Sequence, residues 1–411
     1  MSREKRGGET EPVRNYILNR IIREVEGSTD NWREGADKNK SFMVQQADYD
    51  KLGRSDFVKE ARELENQGLI KIKWHSIGYE IERIYYRLKD MDRIYETVGQ
   101  EPKWHRLKTA KECVEEYAGN TKISWLADYY RDVLSEIERG KYPSDLEKYG
   151  TLLFQCLNAA ADLREPVFVR IFSSKYLGGS KVFEKKLKDR VIRVGKQYHP
   201  MIDEAMKEYQ ALSQLYLETY GQELELKGEL RIVLEGREVD LAEFPYGLVL
   251  NTETLKNAGI PEEQKIRKII TVENKANYMS MPFEEGTLIL FCHGFFSPLE
   301  REFLVRLETV LEALRAAGAD IEYYHTGDLD YGGVRIFRYI RSRIFPLLKP
   351  LNMDVAQYEK YQEYAVEMEA SVREKIKIME EPLLQPLIEK IGAEGKVIEQ
   401  ECFLFLKGEG H

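Results

Sequence analysis

From residue 267 onward the chain alternates strand-like and helix-like segments, and this alternation restricts the fold more than any other feature. RKIITVEN (267–274), TLILFCHG (287–294) and DIEYYHTGDLD (320–330) are short runs rich in Ile, Leu, Val and aromatic residues. Helical periodicity follows over 297–317 (SPLEREFLVRLETVLEALRAA) and over 333–348. Such a pattern implies a small, mostly parallel sheet flanked by helices. In open sheets of this kind the functional groups gather at the carboxyl ends of the strands. Glu273 and the Asp328-Leu329-Asp330 triplet fall at such ends.

If strand geometry persists through that triplet, side chains two apart point the same way, so both aspartates project together while Leu329 turns inward. Two close carboxylates repel unless a cation lies between them. Hard oxygen ligands favour Mg²⁺ or Mn²⁺, and Glu273 would add a third carboxylate. Gly327, Gly332 and Gly333 would let a phosphate or a helix N-terminus come close. His325 is either a phosphate contact or a packed or solvent-exposed residue. Lys275 and Asn277, just after Glu273, are candidate phosphate contacts or plain surface.

Upstream, residues 12–27 place Val13, Ile17, Ile21, Ile22 and Val25 at helical spacing. Residues 55–67 read as a second helix, with Ser55 as N-cap and Gly68 as stop. Two strand-like runs follow, 69–74 and 82–88, separated by Ser76-Ile77-Gly78-Tyr79. A helix followed by a two-stranded ribbon is the tail of a winged helix, a motif that serves either DNA or protein partners. Helical patterns fill 105–163. VFVRIF (167–172) reads as a strand leading through Gly178-Gly179 into a basic helix over 180–197. A further helix over roughly 201–220 precedes short strands near 229–236 and 246–251, and 354–401 is helix-like. The expected fold is mixed α/β and α, multidomain: an N-terminal helix and winged-helix domain (1–100), a central helical and mixed region (101–262) and a C-terminal α/β domain with closing helices (263–411).

The net charge of −9 over 411 residues argues against a uniformly basic nucleic-acid binder, but local charge decides binding. Between Arg170 and Lys196 nine basic residues, among them Lys181, Lys185, Lys186, Lys188, Arg190 and Arg193, face only Glu184 and Asp189. That segment is either a DNA-facing surface or a solvated helix face. No apolar run approaches the roughly 18–20 residues of a membrane span, and MSREKRGGETEPVR lacks a signal-peptide core. Cys113, Cys156, Cys292 and Cys402 form no CxxC pair, so reduced thiols and a cytoplasmic setting are expected.

The series ITVENKANY, LILFCHG and YYHTGDLDYGGVRIFRYIR resembles the Toprim fold. Together with VFVRIFSSKYLGGSKVFEKKL and the late VIEQECF segment (397–403), it resembles more closely the JetD family, the nuclease subunits of Wadjet plasmid-defence systems. That family is in turn similar to the A subunit of topoisomerase VI. The resemblance implies a DNA endonuclease working as a homodimer on double-stranded DNA, with no membrane attachment. It also implies recruitment by a condensin-like complex with structural-maintenance-of-chromosomes, kleisin and accessory subunits. Glu273, Asp328 and Asp330 match the Toprim glutamate and DxD. Glu399 and Glu401 match the late acidic motif. On a helix, residues two apart diverge by about 200°, so one of the pair, Glu401 by preference, is expected at the metal.

Three functions compete at this level. A metal-dependent hydrolase would activate water. A topoisomerase-like transesterase would attack with a tyrosine, for which Tyr85 and Tyr86 are the candidates. A non-catalytic DNA-binding adaptor would have no need of converging carboxylates.

Overall fold

Apolar side chains at Ile17, Ile21, Ile22 and Val25 give α1 (Tyr16–Gly27) one fully covered face. The structure, a computed structural model, describes residues 15–75 and 80–408, with side chains as far as Phe405. Val13 and residues 76–79 therefore lie outside the described residues. The chain divides into two bodies, residues 1–154 and 155–411.

In the first body α1 is followed by β1 (Asn39–Met43), α2 (Gln46–Leu52), α3 (Arg54–Asn66), β2 (Lys71–Trp74) and β3 (Ile81–Arg87). Then come α4 (Met91–Val98), α5 (Lys103–Gly119), α6 (Ser124–Glu138) and α7 (Ser144–Tyr149). The strands form an antiparallel sheet in the order β1-β3-β2. Phe57, Ala61 and Leu64 of α3 pack with Ile81 and Ile84 of β3 and the apolar face of α1 in one core. Strand β1 escaped the sequence reading, because NKSFM carries one buried apolar residue, Phe42. Helix α3 starts one residue before Ser55, with Gly53 in the cap position. It ends as expected at Gly68, which is left-handed. Helix α8 (Leu152–Ala161) follows.

The second body opens with β4 (Val167–Phe168) and α9 (Val169–Leu177). The expected strand over 167–172 is thus mostly helix. Val169, Phe172, Ser173 and Leu177 are buried at helical spacing, while Phe168 and Ile171 are exposed. Here tertiary burial overrides the strand propensity of Val, Ile and Phe. The basic segment continues through a π-helical turn, Phe183–Leu187, into α10 (Lys188–Tyr198). The helix expected over 201–220 shrinks to α11 (Glu208–Ser213), followed by β5 (Leu217–Glu218), which pairs with β4.

Next are β6 (Leu224–Gly228), the hairpin of β7 (Arg231–Leu234) and β8 (Arg237–Asp240), β9 (Leu248–Leu250) and α12 (Thr252–Asn257). The alternating region supplies β10 (Lys268–Val272), α13 (Lys275–Ser280), β11 (Thr287–Phe291), α14 (Pro298–Ala316), β12 (Glu322–Thr326), α15 (Tyr331–Arg343) and β13 (Lys349–Pro350). A six-stranded sheet results, in the order β13-β12-β10-β11-β6-β9. Strands β10 to β13 run parallel, as the alternation implies, and β6 and β9 add antiparallel pairs on the β11 side.

The helix-like stretch 354–401 is broken. It holds α16 (Val355–Lys360), β14 (Val366–Glu367), α17 (Ala370–Lys377), α18 (Gln385–Glu394) and β15 (Lys396–Val397), and a 3₁₀ segment, Gln400–Gly408, follows. Gly395, left-handed after α18, ends the helical run before the late acidic residues. The four cysteines are free thiols. Among the described residues no helix is long and apolar enough to cross a membrane.

Gly228 ends β6 at φ 108°, and a Cβ there would run into the carbonyl oxygen of Thr287. Gly228→Ala is expected to destabilise by at least about 1 kcal/mol, or roughly 2–4 °C in a body of this size. Thermal unfolding followed by circular dichroism measures this, and an unchanged midpoint would contradict the drawn β6–β11 pairing.

Candidate metal centre

Strand β10 stops at Val272, and the Glu273 N–H continues the ladder by donating to the Thr326 carbonyl at the end of β12 (3.0 Å). Glu273 then folds its carboxylate across the following loop, where Oε2 accepts the Asp328 N–H (3.2 Å). Gly327 makes this possible, since a Cβ there would collide with Glu273 Oε2. Asp330 caps α15 by accepting the Gly333 N–H at Oδ1 (2.6 Å). A Cβ at Gly333 would strike the Asp328 carbonyl oxygen. Gly327 and Gly333 therefore make room for the loop's own acidic residues.

Although β12 ends at Thr326, the triplet keeps its alternation through a second pairing. Leu329 and Ile398 exchange backbone hydrogen bonds (2.9 and 3.3 Å), and both side chains are fully buried. This bridge brings the late motif onto the strand ends, and Gln400 fixes it there. The Gln400 N–H donates to Asp328 Oδ1 (2.7 Å), and its Nε2 donates to Thr326 Oγ1 (2.9 Å). Its Oε1 accepts the Asn274 N–H (2.9 Å), and its carbonyl accepts from Asn277 Nδ2 (3.0 Å). Gln400 is 1% exposed.

As a result, carboxylate oxygens of Asp328, Glu399 and Glu401 all lie within 4.8 Å of one another. Glu399 precedes the 3₁₀ segment and belongs to no helix. The 200° divergence expected for the pair therefore does not apply, and both glutamates reach Asp328. Glu273 and Asp330 stand outside this tightest set but act on it electrostatically. Burial raises Asp328 to about 7, helped by the charges of Asp330, Glu399 and Glu401, against the pull of the Gln400 N–H. Glu273 is driven well above the usual carboxyl range by burial, then by Asp328 and Asp330. Burial also raises Asp330 and Glu399, the latter with help from Glu401 and Asp330.

Among the described residues no lysine or arginine is ion-paired with any of these five carboxylates, and Glu401 Oε2 is a buried atom with no hydrogen-bond partner. An all-oxygen, multiply anionic set with an unsatisfied lone pair suits a hard divalent cation. His325 adds no positive charge. It is fully buried, bonded through Nδ1 to Thr271 Oγ1 (2.9 Å), and desolvation pushes it down to about 3.

Several expected contacts lie differently. Lys275 is ion-paired with Glu225 and sits over the Phe291 ring, and Asn277 is buried as a brace for Gln400. In the basic segment Lys181, Lys185, Lys186 and Arg193 are exposed, Lys188 pairs with Glu208 (2.6 Å), and Arg190 is partly buried and engaged. Gln400 was missed entirely, since a glutamine between two glutamates carries no sequence signal of its four bonds. In the first body Tyr86 is 5% exposed, its phenol raised to about 12 by burial and by Glu24, while Tyr85 is 39% exposed.

Fold and site together define a mixed α/β protein with an acidic centre at the carboxyl ends of parallel strands. Residues 224–405, which carry the whole centre, match the family described as Wadjet protein JetD, C-terminal. Over 371 residues the chain is 28% identical to the Wadjet protein JetD of Bacillus cereus (strain Q1), a match covering 86% of this chain and 87% of that one. The chain is thus similar to the JetD family, by the family match over its C-terminal part and by this relative over most of its length.

The raised Asp328 has a consequence for stability. The folded protein holds a proton there between the ordinary value of 3.8 and about 7, so the associated stability is present at low pH and lost as pH rises through 7. Asp328→Asn keeps an oxygen for the Gln400 N–H and removes the charge. In chelator, its melting temperature is expected to match wild type near pH 4 and exceed it at pH 8. Saturating Mn²⁺ should reverse that order by stabilising wild type alone, by about 2.7 kcal/mol at a hundredfold excess over Kd. A gap between the two proteins that ignores both pH and Mn²⁺ would refute this electrostatic assignment.

Proposed function

We propose that the chain is a divalent-metal-dependent DNA endonuclease, the nuclease subunit of a plasmid-defence assembly built around a condensin-like complex. The observation that carries this reading is the convergence of Asp328, Glu399 and Glu401, backed by Glu273 and Asp330, with none of the five held in an ion pair among the described residues. Asp328, Glu399 and Glu401 would hold Mg²⁺ or Mn²⁺, with Glu273 and Asp330 as further ligands or as the frame that orients Asp328. When bound, such an ion supplies charge stabilisation for the scissile phosphodiester and a water of lowered pKa. Glu273 and Asp328 must release their protons to serve as ligands, so loading favours higher pH. Gln400 holds Asp328 Oδ1 in place and keeps the two glutamates from swinging away from each other's repulsion.

In this reading the sheet of β10 to β13 with its helices is a Toprim-type domain, and the body of α1 to α4 with β1 to β3 is a winged helix. Double-stranded DNA is the substrate. A homodimer and the structural-maintenance-of-chromosomes, kleisin and accessory subunits belong to the same proposal and rest on the similarity to that family; the cytoplasmic setting rests on the unpaired cysteines. Hydrolysis is favoured over transesterification, because Tyr86 is buried with its phenol held protonated beside Glu24. Tyr85 offers a partly exposed phenol with no base bonded to it in any described contact.

The test is supercoiled plasmid incubated with the protein, alone and with its defence partners, in Mg²⁺ or Mn²⁺. Cleavage is expected only with the cation, is abolished by Asp328→Ala, and survives in Tyr85→Phe/Tyr86→Phe. Stopping the reaction with detergent should leave no protein on the DNA ends. A detergent-stable adduct lost in the tyrosine variant would replace the hydrolase reading with a transesterase. Wild-type cleavage by Asp328→Ala would remove the acidic centre from the chemistry.

A further inference from the structure

Helix α15 begins at the acidic centre, because Asp330 is its cap, and runs away from it with one face made of Tyr331, Arg335, Arg338 and Ser342. The spacing of four, three and four residues puts these side chains in line. Where that face meets the loop after α10, a cleft of about 200 Å³ is lined by Pro200, Met201, Asp203, Arg335, Arg338 and Arg343 among others.

The arginines of this cleft are not equivalent. Arg335 is spent, with both ends of its fork on Asp203 (2.7 and 2.6 Å) and a further bond to the Tyr331 hydroxyl (2.7 Å). It is the strut that holds the loop wall of the cleft. Arg338 reaches only the edge of Glu381 (3.9 Å), a carboxylate that Arg341 approaches more closely (3.2 Å). Arg343 is exposed and has no ion pair among the described residues. In a chain with nine more acidic than basic side chains, two exposed arginines lining one cleft, one only loosely shared with Glu381 and the other without an ion pair among the described residues, are an open site for an external anion. The planar guanidinium fork fits phosphate oxygens in pairs.

We infer that Arg338 and Arg343 form a second phosphate site, which holds the DNA backbone outside the acidic centre and sets the direction in which the strand leaves it. This rests on the nuclease reading above. The eight residues from Asp330 to Arg338 span about 12 Å of helix, or three to four base steps at about 3.4 Å each. The site therefore grips a phosphate a few steps from the one at the carboxylates. Substrates that stop short of this reach lose the contact.

The experiment measures binding of a labelled duplex to the full-length Asp328→Asn protein across a salt series, and compares it with the same protein carrying Arg338→Gln/Arg343→Gln. Two lost phosphate contacts should lower the slope of log K against log[salt] by about 1.8, at about 0.9 each, and weaken binding at least tenfold at low salt. Arg338→Lys/Arg343→Lys keeps the charges and should keep the slope, which separates lost phosphate contacts from a disturbed fold. An unchanged slope in the glutamine variant overturns the inference while leaving the nuclease reading to plasmid cleavage by wild type. A slope lost equally in the lysine variant also overturns it, since the effect would then be structural. Absence of duplex binding by Asp328→Asn at low salt, together with absence of plasmid cleavage by wild type, would remove both.

Discussion

Everything at the candidate site depends on one short piece of backbone pairing, the bridge between Leu329 and Ile398 locked by Gln400. Leu329 lies in the loop that follows β12, and Ile398 lies some seventy residues later, beyond four more helices. Burying the two side chains against each other favours closing that long loop, and the four hydrogen bonds of Gln400 set its register. Without this pairing Glu399 and Glu401 would be surface acids near the end of the chain. With it they face Asp328, and the local cost is like-charge repulsion in a poorly solvated place. Folding thus assembles an arrangement that is unfavourable by itself and becomes favourable when a cation is shared.

Much of this was legible in the sequence. The parallel core of β10, β11 and β12 followed from apolar runs alternating with helical periodicity, and Glu273, Asp328 and Asp330 stood at the ends of those runs. The buried Leu329 between two aspartates followed from the period of two. The strands β6 and β9 were harder to assign to this sheet. Their join to β11 is antiparallel and comes from residues upstream of the alternating pattern, so no local periodicity announces it. VFVRIF misled because its residues favour strands while their burial in the folded body follows a helix. The late motif misled for the opposite reason: a helix-like composition ends at Gly395, just before the residues that matter.

The glycines and Gln400 illustrate a limit of another kind. Gly327 and Gly333 read as space for a phosphate or a helix N-terminus; a Cβ at Gly327 would meet Glu273, and one at Gly333, in the first turn of α15, would meet the Asp328 backbone. The residue type signalled close approach correctly, but only the fold says what approaches. Gln400 has no distinguishing spacing, and its importance arises from where its amide ends up. Positioning residues of this sort are invisible to motif reasoning because they act through partners far away in sequence.

The central claim, that Asp328, Glu399 and Glu401 together bind a divalent cation, is tested most directly by diffraction from crystals grown with Mn²⁺. Anomalous scattering should give a peak within bonding distance of carboxylate oxygens from all three residues. No peak at saturating Mn²⁺, or a peak bound elsewhere with these carboxylates apart, would contradict the account.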